Sequence, residues 1–123
     1  MTNKPNALDA LLTAELETVE TVHIKRLGVD FTVKAITSDE LNKINEQSKG
    51  PNGKVNESEI NGLLVAAACI DPSFKDAGLR ERYDAVTAAD VVNKALLAGE
   101  VVKLTQTIME ISGFSDDTTK IKN

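Results

Sequence analysis

One short part of this 123-residue chain changes its hydrophobic period, and that change limits the folds open to it. Apolar and polar side chains alternate between about residues 20 and 36, for example from Phe31 through Thr32 to Val33. Such alternation is typical of a β-strand that turns one face to a core. Gly28 separates two such runs, at a point where a tight turn can use its positive φ. We therefore predict a β-hairpin that packs on helices or pairs with another chain, because two strands alone are marginally stable.

The segments after the hairpin carry helical periodicity and repeated helix-start signals. Thr37 with Glu40 three residues later has the pattern of a capping box, and Asn56 begins a second example of it. Asp76 and Thr87 precede two further helical segments. We expect a helix to begin directly after each of the four capping residues.

Proline and glycine mark the predicted helix ends. Pro72 ends the small-residue helix before it, because the residue before a proline avoids the α region. Gly99 is expected to end or bend the helix that begins at Thr87, and Gly113 suits the left-handed residue that follows a helix. Together these signals predict helices over about residues 38–113, in a domain of about five to six helices.

The predicted fold class is mainly α with a small N-terminal β-hairpin, an α+β arrangement in one compact helical domain. Aromatic residues make up 3% of the chain and tryptophan is absent, so the core must consist mostly of Leu, Ile, Val and Ala. That composition favours helices. We expect the domain to cover residues 7–114, with a flexible N-terminus at 1–6 and a flexible C-terminal tail at 115–123.

Two apolar stripes are candidates for binding a partner protein. One repeats leucine at helical spacing near the N-terminus, and the other lies on one face of the last predicted helix. The free edge of the hairpin is a further candidate. Each of these surfaces can instead be core or a contact between copies of the chain, and that alternative stays open. The candidate side chains are Leu8, Leu11, Leu12 and Leu16 in the first stripe and Val101, Leu104 and Ile108 in the second.

The charge and the cysteine count exclude several classes of function. A net charge of −5 weighs against nucleic acid and anionic membranes as partners, because phosphate binding rests on a positive face. No apolar run approaches the ~20 residues of a membrane span. The N-terminal leucines are interrupted by acidic residues, unlike those of a signal peptide. A single cysteine forms no internal disulfide, which favours a reducing cytoplasm.

Cys69 is the residue that decides between an enzyme and a protein without catalysis. A nucleophilic cysteine needs a base within reach and a positive or helix-N-terminal setting that lowers its pKa. Cys69 instead follows three alanines near a predicted helix C-terminus, where the helix dipole disfavours a thiolate. We therefore interpret Cys69 as a small buried core residue.

No other pattern in the chain provides catalytic or ligand-binding chemistry. His23 is the only histidine, and its spacing gives no support to a dyad with Cys69. A zinc site needs several Cys or His ligands, and these two residues are all that the chain has. Acidic pairs near the helix starts are explained by capping and by the helix dipole. We assign no catalytic residue, no cofactor and no metal ligand.

Four segments in a fixed order resemble the tail assembly chaperones of contractile-tailed phages and of PBSX-like (XkdN-like) prophages. Their specific features are a small-residue helix that ends in Cys and then Pro, a lone Tyr, LL-x-GE and a terminal I-x-GF. The short turn at Gly28 departs from the family pattern, as does Ala98, where relatives often carry proline. The segments, within a resemblance over about residues 20–114, are KAITSDE, LLVAAACIDPSF, DAGLRERYDAVTAADVV and ALLAGEVVKLTQTIMEISGF.

The resemblance implies a protein that is not an enzyme and that acts in the host cytoplasm without entering the mature virion. Its expected partner is the tape measure protein, which it binds and keeps soluble during tail assembly. The family also implies the tail tube protein and a longer, frameshifted form of the same chain as further partners. A homo-oligomer and a generic protein–protein interaction adaptor of a phage or bacterium remain alternatives, and a cysteine-dependent enzyme is a third class.

Overall fold

The computed structural model describes residues 6–14, 18–54 and 56–114, without the side chains of residues 57 and 58. Most of the predicted flexible N-terminus and the whole predicted tail at 115–123 lie outside the described residues, as does Leu16. The described elements are α1 (Ala7–Thr13), β1 (Val19–Ile24), β2 (Val29–Lys34), α2 (Ser38–Gln47), α3 (Glu57–Ala68), β3 (Cys69–Asp71), α4 (Ala77–Arg82), α5 (Ala88–Ala95), α6 (Ala98–Met109) and a π-helical turn (Glu110–Phe114).

The three strands form one antiparallel sheet in the order β1-β2-β3. The predicted hairpin is confirmed, and Gly28 has a φ of 70° in its turn. The third strand was not predicted, because Cys69–Asp71 is too short to show an alternating pattern. It pairs with the edge of β2 that faces away from β1, so the hairpin has a neighbouring strand within its own chain. The predicted α+β fold class is therefore confirmed, with a sheet one strand larger than expected.

The core lies between one face of the sheet and the helices α3 and α6. Helix α3 is central, since it packs against α2, α5 and α6 as well as β2. Its approach to α5 is close at Gly62, where an added Cβ would lie 2.8 Å from the Asn93 amide nitrogen. The core is almost entirely aliphatic, as the composition predicts. Its fully buried side chains include Ile24, Val33, Leu64, Val65, Val91, Val92, Leu104 and Ile108.

The predicted helix starts are confirmed by their capping hydrogen bonds. The Thr37 hydroxyl accepts from the Glu40 backbone N–H at 3.3 Å, and the Glu40 carboxylate accepts from the Thr37 N–H at 2.9 Å. The bond from the Thr37 backbone N–H to the carboxylate, aided by Lys34, holds the pKa of Glu40 below its usual value. The Asn56, Asp76 and Thr87 side chains each accept from the backbone N–H three residues later. The local sequence thus fixes where these helices begin.

The end of α5 differs from the prediction. Helix α5 stops at Ala95, and Gly99 lies inside the first turn of α6 instead of ending α5. A new helix begins there because the Glu100 carboxylate accepts from the Leu97 backbone N–H at 2.8 Å. Arg26, in the hairpin turn, donates to both Glu100 oxygens at 2.8 Å and to the Ala95 carbonyl at 3.1 Å.

The C-terminal turn is held against the middle of the chain. Gly113 has a φ of 99°, so the left-handed position predicted for it is confirmed. The neighbouring Ser112 hydroxyl donates to the Ile108 carbonyl at 2.6 Å and accepts from the Ile36 backbone N–H at 2.9 Å. One side chain therefore links the end of α6 to the connection between β2 and α2.

Candidate partner-binding surfaces

Helix α1 presents the N-terminal leucine stripe to solvent. The Asn6 side chain caps the helix by accepting from the Asp9 backbone N–H at 2.8 Å. Leu11 and Leu12 follow Leu8 by three and four residues, and this spacing places the three side chains on one face of the helix. Their exposed fractions are 65%, 77% and 72%, and no described residue of α1 is buried.

An exposed helix of this length has little to stabilise it. Isolated helices shorter than ~12–15 residues are marginal in water, and most helices in proteins are held by packing of an apolar face. Helix α1 has 7 residues and packs no apolar face on the described core. Its leucines therefore form an apolar surface without a cover among the described residues.

The second candidate stripe is part of the core. Leu104 and Ile108 have no exposed surface, and Val101 is 8% exposed. They pack between the sheet and α3, because α6 contacts β1, β2 and α3. A partner cannot reach these side chains in the folded protein, so of the two stripes only that of α1 stays a candidate surface. The sequence pattern identified an apolar face correctly without showing what covers it.

The solvent side of α6 was missed by the sequence reasoning. Val102 and Phe114 are 47% and 57% exposed, and Phe114 borders a shallow depression together with Met109 and Gln106. These apolar residues do not form a continuous stripe in the sequence, so periodicity gives no signal for them. The Thr105 hydroxyl, beside this depression, is buried and has no hydrogen-bond partner among the described residues.

Cys69 has the surroundings of a core residue. Its side chain is buried, and its Sγ lies 3.6 Å from the Asp71 carbonyl oxygen as a weak donor. Burial raises the pKa of the thiol to about 12. The thiol therefore stays protonated at neutral pH, which is the opposite of what a nucleophilic cysteine needs.

His23 and Cys69 are not brought together. His23 lies on β1 and Cys69 on β3, with β2 between them, so their strands are separated by about two spacings of ~4.8 Å. The His23 Nδ1 instead lies 2.7 Å from the carboxylate of Asp30, its cross-strand neighbour, and both side chains are exposed. This contact is a surface pair on the hairpin.

The two edges of the sheet differ in how they are protected. The β3 edge has three residues, its register with β2 shifts between Thr32 and Val33, and Pro72 follows it directly. The β1 edge has six residues in regular register with β2. Short strands, irregular register and proline are the usual means of blocking a sheet edge. Only β3 has all three.

Part of the β1 edge has open backbone groups. Ala35 donates to the Thr18 carbonyl at 2.8 Å, which sets the phase of the ladder between the two strands. Because hydrogen-bonded pairs alternate along antiparallel strands, the backbone groups of Val19, Thr21 and His23 point away from β2. Lys103 donates to the His23 carbonyl at 2.7 Å. Among the described residues, nothing bonds the outward groups of Val19 and Thr21.

Neither a membrane-spanning helix nor a metal-binding cluster occurs within the ranges that the structure covers. None of the described helices is long and apolar enough to cross a membrane. No group of three or more His, Cys, Asp or Glu side chains in those ranges is arranged to hold a metal ion.

The chain is similar to a known family of phage proteins. A family model described as the phage XkdN-like tail assembly chaperone protein matches residues 8–123. That match covers nearly the whole chain, so the chain belongs to the XkdN-like family of phage tail assembly chaperones. The resemblance drawn from the sequence is thereby confirmed. No curated protein sequence gives a significant match.

One solved structure adds an independent comparison of the fold. The crystal structure of the protein YqbN, a structural genomics target, is similar with a TM-score of 0.69 and 24% sequence identity. The similarity covers 90% of this chain and 99% of that chain. At this identity the likeness concerns the fold alone, and it shows that the two proteins share their overall fold.

Proposed function

We propose that this protein works without catalysis, by binding the tape measure protein of a phage tail and keeping it soluble during assembly. The observation that carries the proposal is the uncovered leucine face of α1, on Leu8, Leu11 and Leu12. A large exposed apolar face marks an interaction site in a monomeric protein. Membership of the tail assembly chaperone family supports a tail protein as the partner.

The chemistry of the chain supports a binding role over an enzymatic one. Its one thiol is buried and protonated, and its one histidine faces Asp30 on the hairpin surface. An apolar helix face on an acidic protein suits a long helical partner, since the face covers apolar surface and the charge adds solubility. We propose the host cytoplasm as the place of action and no role in the mature virion. The tail tube protein and a longer, frameshifted form of the chain are proposed as further partners.

Co-expression with the tape measure protein tests this function. The measured quantities are the soluble fraction of the tape measure protein and its co-purification with this chain. We expect the wild type to raise that fraction, and Leu11→Asp with Leu12→Asp to abolish both effects, because two carboxylates disrupt the apolar face. Circular dichroism and thermal unfolding check that the variant keeps its fold.

Leu97→Asp provides a matched control outside α1. Leu97 is also an exposed leucine, at 58%, and it occupies the N-cap position of α6, where aspartate is a favoured residue. We expect this variant to keep the tape measure protein soluble. Equal loss of solubility with Leu97→Asp would point to general surface hydrophobicity instead of α1. No rescue by the wild type would reject the chaperone function proposed here and favour an interaction adaptor.

A further inference from the structure

We propose that the free edge of β1 binds β1 of a second copy of this chain, antiparallel and centred on Thr21. The pairing would join two three-stranded sheets into one sheet of six strands, with the order β3-β2-β1-β1-β2-β3. This inference goes beyond the proposed chaperone function, because it concerns the chain alone.

The contrast between the two sheet edges is the first support. Natural sheets block an edge that must stay unpaired, with short strands, irregular register, proline or inward-pointing charge. The β3 edge carries the first three of these features, whereas β1 has six residues, a regular register and no proline. Its outward backbone groups at Val19 and Thr21 have no partner among the described residues. An open edge of this kind binds another extended strand.

The sequence of β1 is compatible with itself in the register centred on Thr21. In a two-fold pair, outward-facing residues must lie opposite outward-facing residues. Centring the pair on Thr21 places Thr21 opposite itself and Val19 opposite His23, and Thr–Thr pairs are favourable across strands. Centring it on Glu20 would place two carboxylates directly opposite each other, which is destabilising. The charges therefore favour the register centred on Thr21 over the one centred on Glu20.

The exposed apolar residues at the two ends of β1 are the third support. Leu27, in the hairpin turn, is 45% exposed, and Val19, at the start of β1, is 50% exposed. Because the paired strands run in opposite directions, the Val19 end of β1 in one copy lies beside the hairpin turn of the other. Each end of the paired strands therefore combines one exposed apolar residue from each copy.

The size of the contact predicts a weak dimer. A pair of six-residue strands provides much less than the ~1,200 Å² that stable complexes bury. The Lys103 side chain on the His23 carbonyl also occupies one position at the end of the edge. We therefore expect concentration-dependent association in place of an obligate dimer.

A charge-pair experiment tests the register directly. In sedimentation equilibrium, the wild type should form dimers as its concentration rises. Thr21→Lys and Thr21→Glu should each raise the dimer Kd by about fivefold or more, because like charges would lie opposite across the two-fold axis. An equimolar mixture of the two variants should recover the wild-type affinity. Thr32→Lys is the control, since Thr32 is the β2 neighbour of Thr21 and lies one strand away from the contact.

Cross-linking gives a second, independent readout. Thr21→Cys should form a disulfide-linked dimer under mild oxidation, because residues opposite in a strand pair lie within the ~7 Å that a disulfide spans. Thr32→Cys should not, since the two β2 strands of the dimer would be three strand spacings, ~14 Å, apart. The native Cys69 is buried and does not compete.

Three results would overturn the proposal. One is a wild type that stays monomeric at every concentration tested. The second is a dimer whose affinity is unchanged by Thr21→Lys, and the third is cross-linking by Thr32→Cys in place of Thr21→Cys. A monomeric wild type whose β1 edge binds an extended peptide of the tape measure protein would assign the edge to that protein instead. All the self-association measurements omit the tape measure protein, so their failure leaves the chaperone function separately testable.

Discussion

Helices α1 and α6 carry similar apolar stripes, but the two stripes lie in opposite environments. The stripe of α6 is buried between the sheet and α3, whereas that of α1 is exposed along its whole described length. Both stripes repeat every three to four residues, so their sequences carry the same local information. The difference shows that a stripe identifies a face that needs covering. What covers it depends on the rest of the chain or on another molecule.

Hydrogen exchange should show the largest difference between the two helices. Amides in a well-packed helix exchange through global unfolding, while those in an unsupported helix exchange through local fraying. We expect the amides of Leu104 and Ile108 to exchange at least about a thousandfold more slowly than those of Leu11 and Leu12. Comparable protection in both helices would mean that α1 is covered in the free protein.

Truncation of the central α6 leucine should have the next largest effect. Leu104 has no exposed surface, so Leu104→Ala removes buried methyl groups and leaves a cavity. We expect the free energy of unfolding to fall by about 2–5 kcal/mol. Urea denaturation measures it. A change below ~1 kcal/mol would show that α6 is less tightly packed than its burial indicates.

Removal of the unpaired α6 hydroxyl should act in the opposite direction. The Thr105 Oγ1 is buried without a hydrogen-bond partner among the described residues, which is unfavourable. Valine has nearly the same shape and no hydroxyl, so we expect Thr105→Val to raise the free energy of unfolding by ~1 kcal/mol. Thermal and urea unfolding beside the wild type give the measurement. A destabilised variant would indicate that the hydroxyl has a partner outside the described residues.

Truncation in α1 should have the smallest effect on the free protein. Leu11 is 77% exposed, and surface substitutions of this kind change stability by less than ~0.5 kcal/mol. Leu11→Ala also keeps a good helix former at that position. Urea denaturation of Leu11→Ala beside Leu104→Ala provides the direct comparison. A loss above ~2 kcal/mol for Leu11→Ala would place this leucine in a packed interface and remove the contrast between the helices.

Local signals predicted much of the fold. The capping box at Thr37 and the N-caps at Asp76 and Thr87 depend on residues within three positions of each other, so the sequence shows them directly. The hairpin was readable for the same reason. Strand β3 was not, because a three-residue strand is defined by its pairing with β2, about forty residues earlier. The break between α5 and α6 was predicted at Gly99 but lies at Leu96 and Leu97, because capping by Glu100 places Gly99 inside the first turn of α6.

The candidate surfaces were predictable only in part. The burial of Cys69 followed from its small neighbours and its place at the end of a helix, and the structure agrees. The open edge of β1 depends on which strand lies in the middle of the sheet, and the sequence contains no local signal for that order. The exposed residues on the solvent side of α6 were missed because they follow no apolar period.

The Arg26 side chain has a consequence for the rates of folding and unfolding. Its contacts with Ala95 and Glu100 join parts of the chain that are 69 and 74 residues apart. Contacts that close so long a loop cost entropy, and we expect this one to form after the transition state for folding. An interaction absent from the transition state slows unfolding and leaves the folding rate unchanged. We therefore expect the ion pair between Arg26 and Glu100 to lengthen the lifetime of the folded chain.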